Sequence, residues 1–283
     1  MEPHNHPLQR VVIKVGSSVL TDARGRLLPE RLGQLVEQVV ACVRAHRQPI
    51  IVSSGAIACG MARLGVTRRP KALAQLQACA AIGQGELMHL YTETFGNHGV
   101  LTAQVLLTQD DLASRTRFRN AKQTLLTLLH RRVVPVINEN DTVAVEEITF
   151  GDNDRLAALV AAAVDAQLLV ILSDVDGVLR DGKPLERIDP STRATAFGRA
   201  LAQDSGLRGA KRQTTKGGMA SKLEAARIAG HSGIPLVIAN GTRPNILTDL
   251  LAGQSVGTLF VPPRTRRTSR TWDSAWAQFR MTS

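Results

Sequence analysis

Short β-branched runs alternate with stretches that carry apolar residues at helical spacing. This alternation constrains the fold of the 283-residue chain more than any other property. VVIKV (11–15) and IIVS (50–53) flank a stretch in which Leu32, Leu35, Val36, Val39, Val40 and Val43 share one helical face, the pattern of a β-α-β unit. VLTAQVLL (100–107), VVPVI (133–137), LLVIL (168–172) and PLVIA (235–239) read as further buried strands. Ala121 to Leu129, Leu156 to Val164 and Ser221 to Ala229 read as helices between them. Near-continuous apolar strands separated by helices predict an α/β fold, a three-layer αβα sandwich with an open, mostly parallel sheet covered on both faces. Arg180 to Thr215, richer in Gly, Asp and Arg, is expected to form loops and short elements.

Composition narrows the function. At 43% hydrophobic residues the chain can build a large core, yet no run is long enough to span a bilayer and MEPHNHPLQR lacks the apolar stretch of a signal peptide. A cytoplasmic protein with no membrane partner is expected. Cys42, Cys59 and Cys79 are odd in number and form no CxxC pair, so they read as core fillers, and no metal-ligating residue is assigned. The net charge of +11 raises the question of nucleic acid, but much of it is local: Val261 to Ser283 holds five arginines against Asp273 alone. With only 3% aromatic residues there is little to stack on bases, and nucleic acid is not the expected partner.

Polar and glycine-bearing groups fall at the ends of the strands, where an open α/β sheet collects its ligands. Lys14 stands inside VVIKV and is followed by GSS; a lysine there could snorkel at a sheet edge, but beside a Gly-Ser-Ser turn it reads as a cation placed next to a phosphate. IIVS runs into SSGAIACG, an ordinary βα turn or a second binding turn. KGGMASK (216–222) leads into a helix, so its glycines and free N–H groups offer an anion site flanked by Lys216 and Lys222. Downstream of PVINENDTVAVEEI, the stretch FGDNDRLAALVAAAV packs Asp152, Asn153 and Asp154 into the start of an apolar helix. Capping accounts for one or two of these residues, not for three behind a glycine. No GxxxxGK[ST], GxGxxG, HRD or DFG pattern accompanies these segments, so the three commonest nucleotide-binding designs are excluded.

VVIKVGSSVLT, IVSSGAIACG, QLQACAAIGQGELM, QVLLTQDDLASRTRFRNAKQTLLTLL, VVPVINENDTVAVEEITFGDNDRLAALVA, ILSDVDGVL, KGGMASKLEAARIA and SVGTLF together resemble the glutamate kinases (gamma-glutamyl kinases) of the amino acid kinase family. They run in family order over nearly all of residues 10 to 260. VINEND followed by GDND is the most specific pair. The resemblance implies a kinase domain over 1–262, with its N-terminal part mainly on the glutamate side and its C-terminal part mainly on the nucleotide side. An Arg-rich tail follows at 263–283, where many bacterial members continue into a PUA domain.

It also implies roles. Ser54, Asp141 and Asn153 match glutamate-binding positions. Lys14 and Lys222 match lysines that hold the phosphates and stabilise the transferring phosphoryl group, and Asp154 an aspartate that orients them. Ser173, Asp174, Lys216, Gly217, Gly218, Met219, Ala220, Ser221 and Lys222 match the nucleotide segment, with Ser173 and Lys216 standing where relatives usually have Thr. The implied reaction is ATP-dependent, Mg2+-assisted phosphorylation of the L-glutamate side chain to L-glutamyl 5-phosphate, the first step of proline biosynthesis. Another acceptor (acetylglutamate, carbamate or a phosphorylated alcohol) stays open. Proline as feedback inhibitor, a homodimer or tetramer, and handover to glutamyl phosphate reductase are further implications.

Overall fold

β1 (Arg10–Val15) is the strand on which the sheet is built, because it pairs in parallel with β2 (Gln48–Ser53) on one side and with β5 (Leu168–Ser173) on the other. The computed structural model describes residues 9–143, 152–180, 183–189 and 218–263. From β1 the chain passes through α1 (Ser17–Leu20) and α2 (Pro29–Arg44) to β2, then through α3 (Ala56–Arg63) and α4 (Leu73–Gly96) to β3 (Thr102–Leu107). α5 (Gln109–Ala113) and α6 (Arg115–His130) lead to β4 (Val134–Glu139), and α7 (Asp152–Ala163) crosses to β5 on the far side of β1. The short strands β6 (Leu179–Arg180), β7 (Lys183–Pro184) and β8 (Arg187–Ile188) follow, then α8 (Met219–His231), β9 (Leu236–Asn240), α9 (Ile246–Leu251) and β10 (Thr258–Phe260). The resulting sheet has the order β3-β4-β2-β1-β5-β9-β10-β8. Its first six strands are parallel, while β10 runs antiparallel to β9. The strand order reverses between β1 and β5, which opens a crevice at their carboxyl ends.

Both faces are covered, as expected. Val11, Ile13 and Val15 of β1 pack into one apolar layer with α2, α4 and α9, whereas Val12 packs into the other with α6, α7 and α8. Period-two alternation therefore decides which layer each strand residue enters. Lys14 shares the parity of Val12 and belongs to the α7 and α8 side, which is decisive for the site. The three cysteines are buried thiols, and burial pushes those of Cys42 and Cys59 up to about 11 and about 12.

One expectation is corrected and one element was not read. VLTAQVLL was expected to be a buried strand, but β3 is the edge of the sheet, with only Leu107 of its residues buried and Leu101 just before it 70% exposed. Apolar content reports strand propensity, not position in the strand order. The pattern also misses α4, 24 residues long. Its QLQACAAIGQG segment is so rich in small residues that no apolar stripe stands out. Those residues serve backbone-to-backbone packing: a Cβ on Gly60 would stand 1.8 Å from Cys79 O, and one on Gly83 1.9 Å from Ala56 O. Of Arg180 to Thr215, residues 181–182 and 190–215 lie outside the described residues, as does the tail beyond Pro263; the described part does form short strands.

Gly83→Ala is expected to lose about 3 kcal/mol, roughly 6–12 °C in Tm for a domain of this size, because neither helix backbone can yield. Gly85→Ala on the same helix meets nothing within 4 Å and should be neutral or slightly stabilising. Thermal unfolding of the pair checks the close contact; equal Tm values would refute it.

Candidate active site

Lys14, Asp154 and Lys222 come from three elements that the sequence separates by up to 208 positions, and they meet at the crevice beside β1. Lys14 is 5% exposed, Asp154 0% and Lys222 3%. Lys14 sits near the carboxyl end of a central strand and has no edge to snorkel over. Asp154 lies in the first turn of α7 and Lys222 in the first turn of α8. Lys14 Nζ is 2.7 Å from Asp154 Oδ1, and Lys222 Nζ is 3.4 Å from Oδ2. The Ser221 hydroxyl donates to the same Oδ2 at 2.7 Å. Asp154 is thus committed to two cations and a hydroxyl rather than to capping its helix.

The charge states follow from this geometry. Burial pushes the Asp154 carboxyl up, but the ammonium groups of Lys14 and Lys222, with hydrogen bonds from Lys14 and Ser221, outweigh it and hold the group below the ordinary aspartate value. Burial pushes the Lys222 ammonium down; Asp154 pulls it back up, Lys14 pushes it further down, and the net direction is below an ordinary lysine. Two buried ammonium groups face one buried carboxylate, so the cluster has a surplus of positive charge. A buried surplus of this kind suits an incoming anion.

Around the cluster the glycine turns approach closely. The Gly16 N–H donates to Leu172 O at 2.9 Å and so stitches the turn to β5. A Cβ at Gly16 would stand 3.1 Å from that carbonyl and 3.8 Å from Lys14 Nζ. The SSGA turn lies opposite: Gly55, at φ 107°, would direct a Cβ to 3.7 Å from Ser17 Cβ. On the other side, Ser173 is buried at the end of β5 and donates to Asp174 Oδ1 at 3.1 Å, and Asp174 adds attraction at Lys222. Gly218 precedes α8 and no side chain caps that helix start, so Met219 and Ala220 open it without an acidic neighbour in the first turn. Lys216 and Gly217 lie outside the described residues.

A second polar chain adjoins the first. The Asn153 side-chain amide donates to Ser54 Oγ at 3.2 Å and to Asn138 Oδ1 at 3.0 Å, and the Asn138 amide donates to Gln84 Oε1 at 2.6 Å. Ser54 and Asn153 are therefore in direct contact, while Asp141 sits in the turn after β4 and faces Arg69. Burial pushes the Arg69 guanidinium down and the Asp141 charge pulls it back up. Asn138, Gln84 and Arg69 were not singled out from the sequence. Asn138 had a signal, an amide at the end of an otherwise apolar strand run; Gln84 and Arg69 have none outside the folded chain.

Buried ammonium groups around one carboxylate, at the switch point of an open parallel sheet, define a site for a polyanionic substrate of the kind a phosphotransferase handles. The comparisons agree: the chain matches the amino acid kinase family over residues 9–240 and belongs to it. It is 48% identical to the glutamate 5-kinase of Geobacter metallireducens over 91% of this chain and 69% of that protein. It is 46% identical to that of Moorella thermoacetica, over 93% and 69%, and 47% identical to that of Thermus thermophilus, over 93% and 70%. Among solved structures, carbamate kinase from Giardia lamblia bound to AMP-PNP aligns with a TM-score of 0.63 at 15% identity, covering 90% of this chain and 98% of that one. UMP kinase from Ureaplasma parvum aligns with a TM-score of 0.56 at 18% identity, over 89% and 99%. Those two likenesses establish the fold: three layers around a mostly parallel sheet. Among the described residues no helix is long and apolar enough to cross a membrane.

Asp154→Asn leaves two buried ammonium groups without their counter-charge and should cost about 3 kcal/mol or more at pH 7. Because the folded pKa of Asp154 is depressed, its stabilisation is complete above the unfolded value of about 3.9 and is lost as pH falls through the folded value. Denaturant titrations at several pH values should therefore show the gap between the two proteins narrowing only below about pH 4. A constant gap across that range would mean the carboxylate is not ionised in the native state.

Proposed function

We propose that the chain transfers the γ-phosphoryl group of ATP to the side-chain carboxylate of L-glutamate, giving L-glutamyl 5-phosphate. The observation that carries this reading is the Lys14–Asp154–Lys222 cluster, positioned on the same turn of α7 as an amide chain suited to an amino acid. The near 47% identity to glutamate 5-kinases over nine-tenths of the chain supports glutamate as the acceptor.

The nucleophile, a carboxylate with an ordinary pKa of about 4.3, is already ionised at neutral pH, so no general base is required. The difficulty is electrostatic: an anion must approach an anionic phosphate, and catalysis is positioning and charge stabilisation. In this reading Lys14 and Lys222 meet the charge on the transferring phosphoryl oxygens. Asp154 keeps the two ammonium groups aimed and prevents their mutual repulsion from spreading them. Ser173, Asp174 and the segment from Lys216 to Lys222 hold the nucleotide. Ser54, Asp141 and Asn153 hold glutamate. Mg2+ brought in with the nucleotide would supply additional positive charge, and no described residue of this chain is assigned to hold it. The product is an acyl phosphate, and its reactivity suits direct handover to glutamyl phosphate reductase. A homodimer or tetramer in the cytoplasm completes this reading.

Glutamate-dependent ADP formation, with the acyl phosphate trapped by hydroxylamine as the hydroxamate, tests the reaction; no hydroxamate from glutamate, with ADP released on another acceptor, would overturn it. Interactions equal in ground and transition states appear in KM, and those strengthened in the transition state appear in kcat. Asn153→Ala and Asp141→Ala should mainly raise KM for glutamate, whereas Lys14→Ala and Lys222→Ala should lower kcat on the order of a hundredfold. Asp154→Ala should follow the lysines. A change confined to KM for glutamate in Asp154→Ala would make Asp154 a substrate ligand instead.

Proline, the end product of the pathway this reaction opens, is proposed to inhibit by overlapping the glutamate site within the kinase domain. Added proline should raise the apparent KM for glutamate. Rates that stay flat at subsaturating glutamate across millimolar proline would rule this out.

A further inference from the structure

One buried polar atom on the acceptor side is satisfied by nothing around it: Asn153 Oδ1 has no hydrogen-bond partner among the described residues. Its identity as the oxygen is fixed by a backbone group. The Glu139 N–H can only donate, and it donates to Asn138 Oδ1 at 2.9 Å. Asn138 must then turn its NH2 toward Gln84, which has to present Oε1, at 2.6 Å. The same Asn138 oxygen also takes a proton from Asn153 at 3.0 Å, so the Asn153 atom there has to be the nitrogen. With that NH2 also committed to Ser54 Oγ at 3.2 Å, only the carbonyl oxygen of Asn153 is left for a ligand. An acceptor left over in a buried position is costly until a donor meets it.

Gln84 is well placed to hold this orientation. Its neighbour Gly83 lies against the α3 backbone, where a Cβ would stand 1.9 Å from Ala56 O and 2.4 Å from Gly60 N, so α4 cannot slide. Asn138 is 2% exposed, and its NH2 has little access to water if Gln84 is lost.

We infer that Gln84 is a positioning residue for amino-acid recognition: by accepting from the buried Asn138 NH2 it keeps Asn138 seated against the Glu139 N–H that orients it, and so keeps Asn153 Oδ1 turned to accept a hydrogen bond from the substrate's ammonium group. This rests on the reading of the acceptor as glutamate. Gln84 touches no substrate; the Glu139 N–H denies Asn153 the flipped orientation, and without Gln84 the buried Asn138 NH2 loses its acceptor and Asn138 its seat between Glu139 and Asn153.

Steady-state kinetics of Gln84→Met and Gln84→Glu test the relay. Gln84→Met removes the acceptor and should raise KM for glutamate about tenfold, with kcat and KM for ATP within about twofold of the native values. Gln84→Glu keeps an acceptor oxygen and should return KM to within about threefold. Glutarate, which is glutamate without its amino group, should inhibit the native and Gln84→Met proteins with equal affinity. Unchanged KM for glutamate in Gln84→Met, or an equal loss for glutarate, overturns the inference. A second readout needs no catalysis: the side-chain NH2 signals of Asn138 and Asn153 in 15N spectra should shift in Gln84→Met and return in Gln84→Glu, and unmoved signals overturn it too. Should the native chain form no hydroxamate from glutamate, the glutamate reading falls and the amide signals alone decide the relay.

Discussion

One buried carboxylate holds two buried ammonium groups, and much of the molecule is arranged to make that possible. Taking three ions out of water costs several kcal/mol for each, and their mutual attraction recovers this only when the geometry is tight and the remaining lone pairs are bonded. Asp154 meets the first condition with Lys14 at 2.7 Å from Oδ1 and Ser221 at 2.7 Å from Oδ2, and less closely with Lys222 at 3.4 Å, while Oδ1 is held by charge and not by a well-aligned hydrogen bond. An apolar trio of similar volume would stabilise the fold at least as well. The proposed function gives the cluster its reason, since entering phosphate oxygens would relieve a surplus of buried positive charge. Burial disfavours the Lys222 ammonium, and Asp154 pulls in the opposite direction.

Placing these three ions together depends on rules that act far from them. Strand parity turns Lys14 toward α7 instead of α2, because Val12 and Lys14 differ by two residues and share a face. The parallel order brings the carboxyl ends of β1 and β5 side by side, and the chain crosses from β4 to β5 through α7, whose first turn then stands over the gap. α3 and α4 meet through glycines, which keeps the SSGA turn and Gln84 at fixed heights against the sheet. A side chain at Gly60 or Gly83 would force α3 and α4 apart and shift Gln84 relative to the sheet.

Much of this was legible in the sequence because it is written in local patterns. β1, β2, β4, β5 and β9 follow from β-branched runs, and Lys14, Ser54, Asn153, Asp154 and Lys222 from polar residues at strand and helix ends. What was not legible is set by long-range order. That β3 is an edge depends on which strand pairs with which, and no apolar count contains that information. α4 escaped because alanine and glycine give little periodic contrast, though they are what close packing requires. Gln84 and Arg69 escaped for a different reason: each is an ordinary polar residue until the fold sets Asn138 or Asp141 before it. The bond from the Gly16 N–H to Leu172 O is of the same kind, since it exists only once β5 lies beside β1.

Asn153 and Asp154 are consecutive, yet they serve different networks. Successive helix residues project about 100° apart, so one turn of α7 can send an amide toward β2 and β4 and a carboxylate toward β1 and α8. Asn153 reaches Ser54 and Asn138, and Asp154 reaches Lys14, Ser221 and Lys222. The amide network and the charged cluster thus share a single turn, so that in the proposed reading acceptor and phosphate are held by one element. In that reading, a substrate that draws on Asn153 draws on the same backbone that carries Asp154. Transfer between two anions needs their reacting atoms held within about 3–3.5 Å, and a common turn under both sites is a direct way to fix that separation.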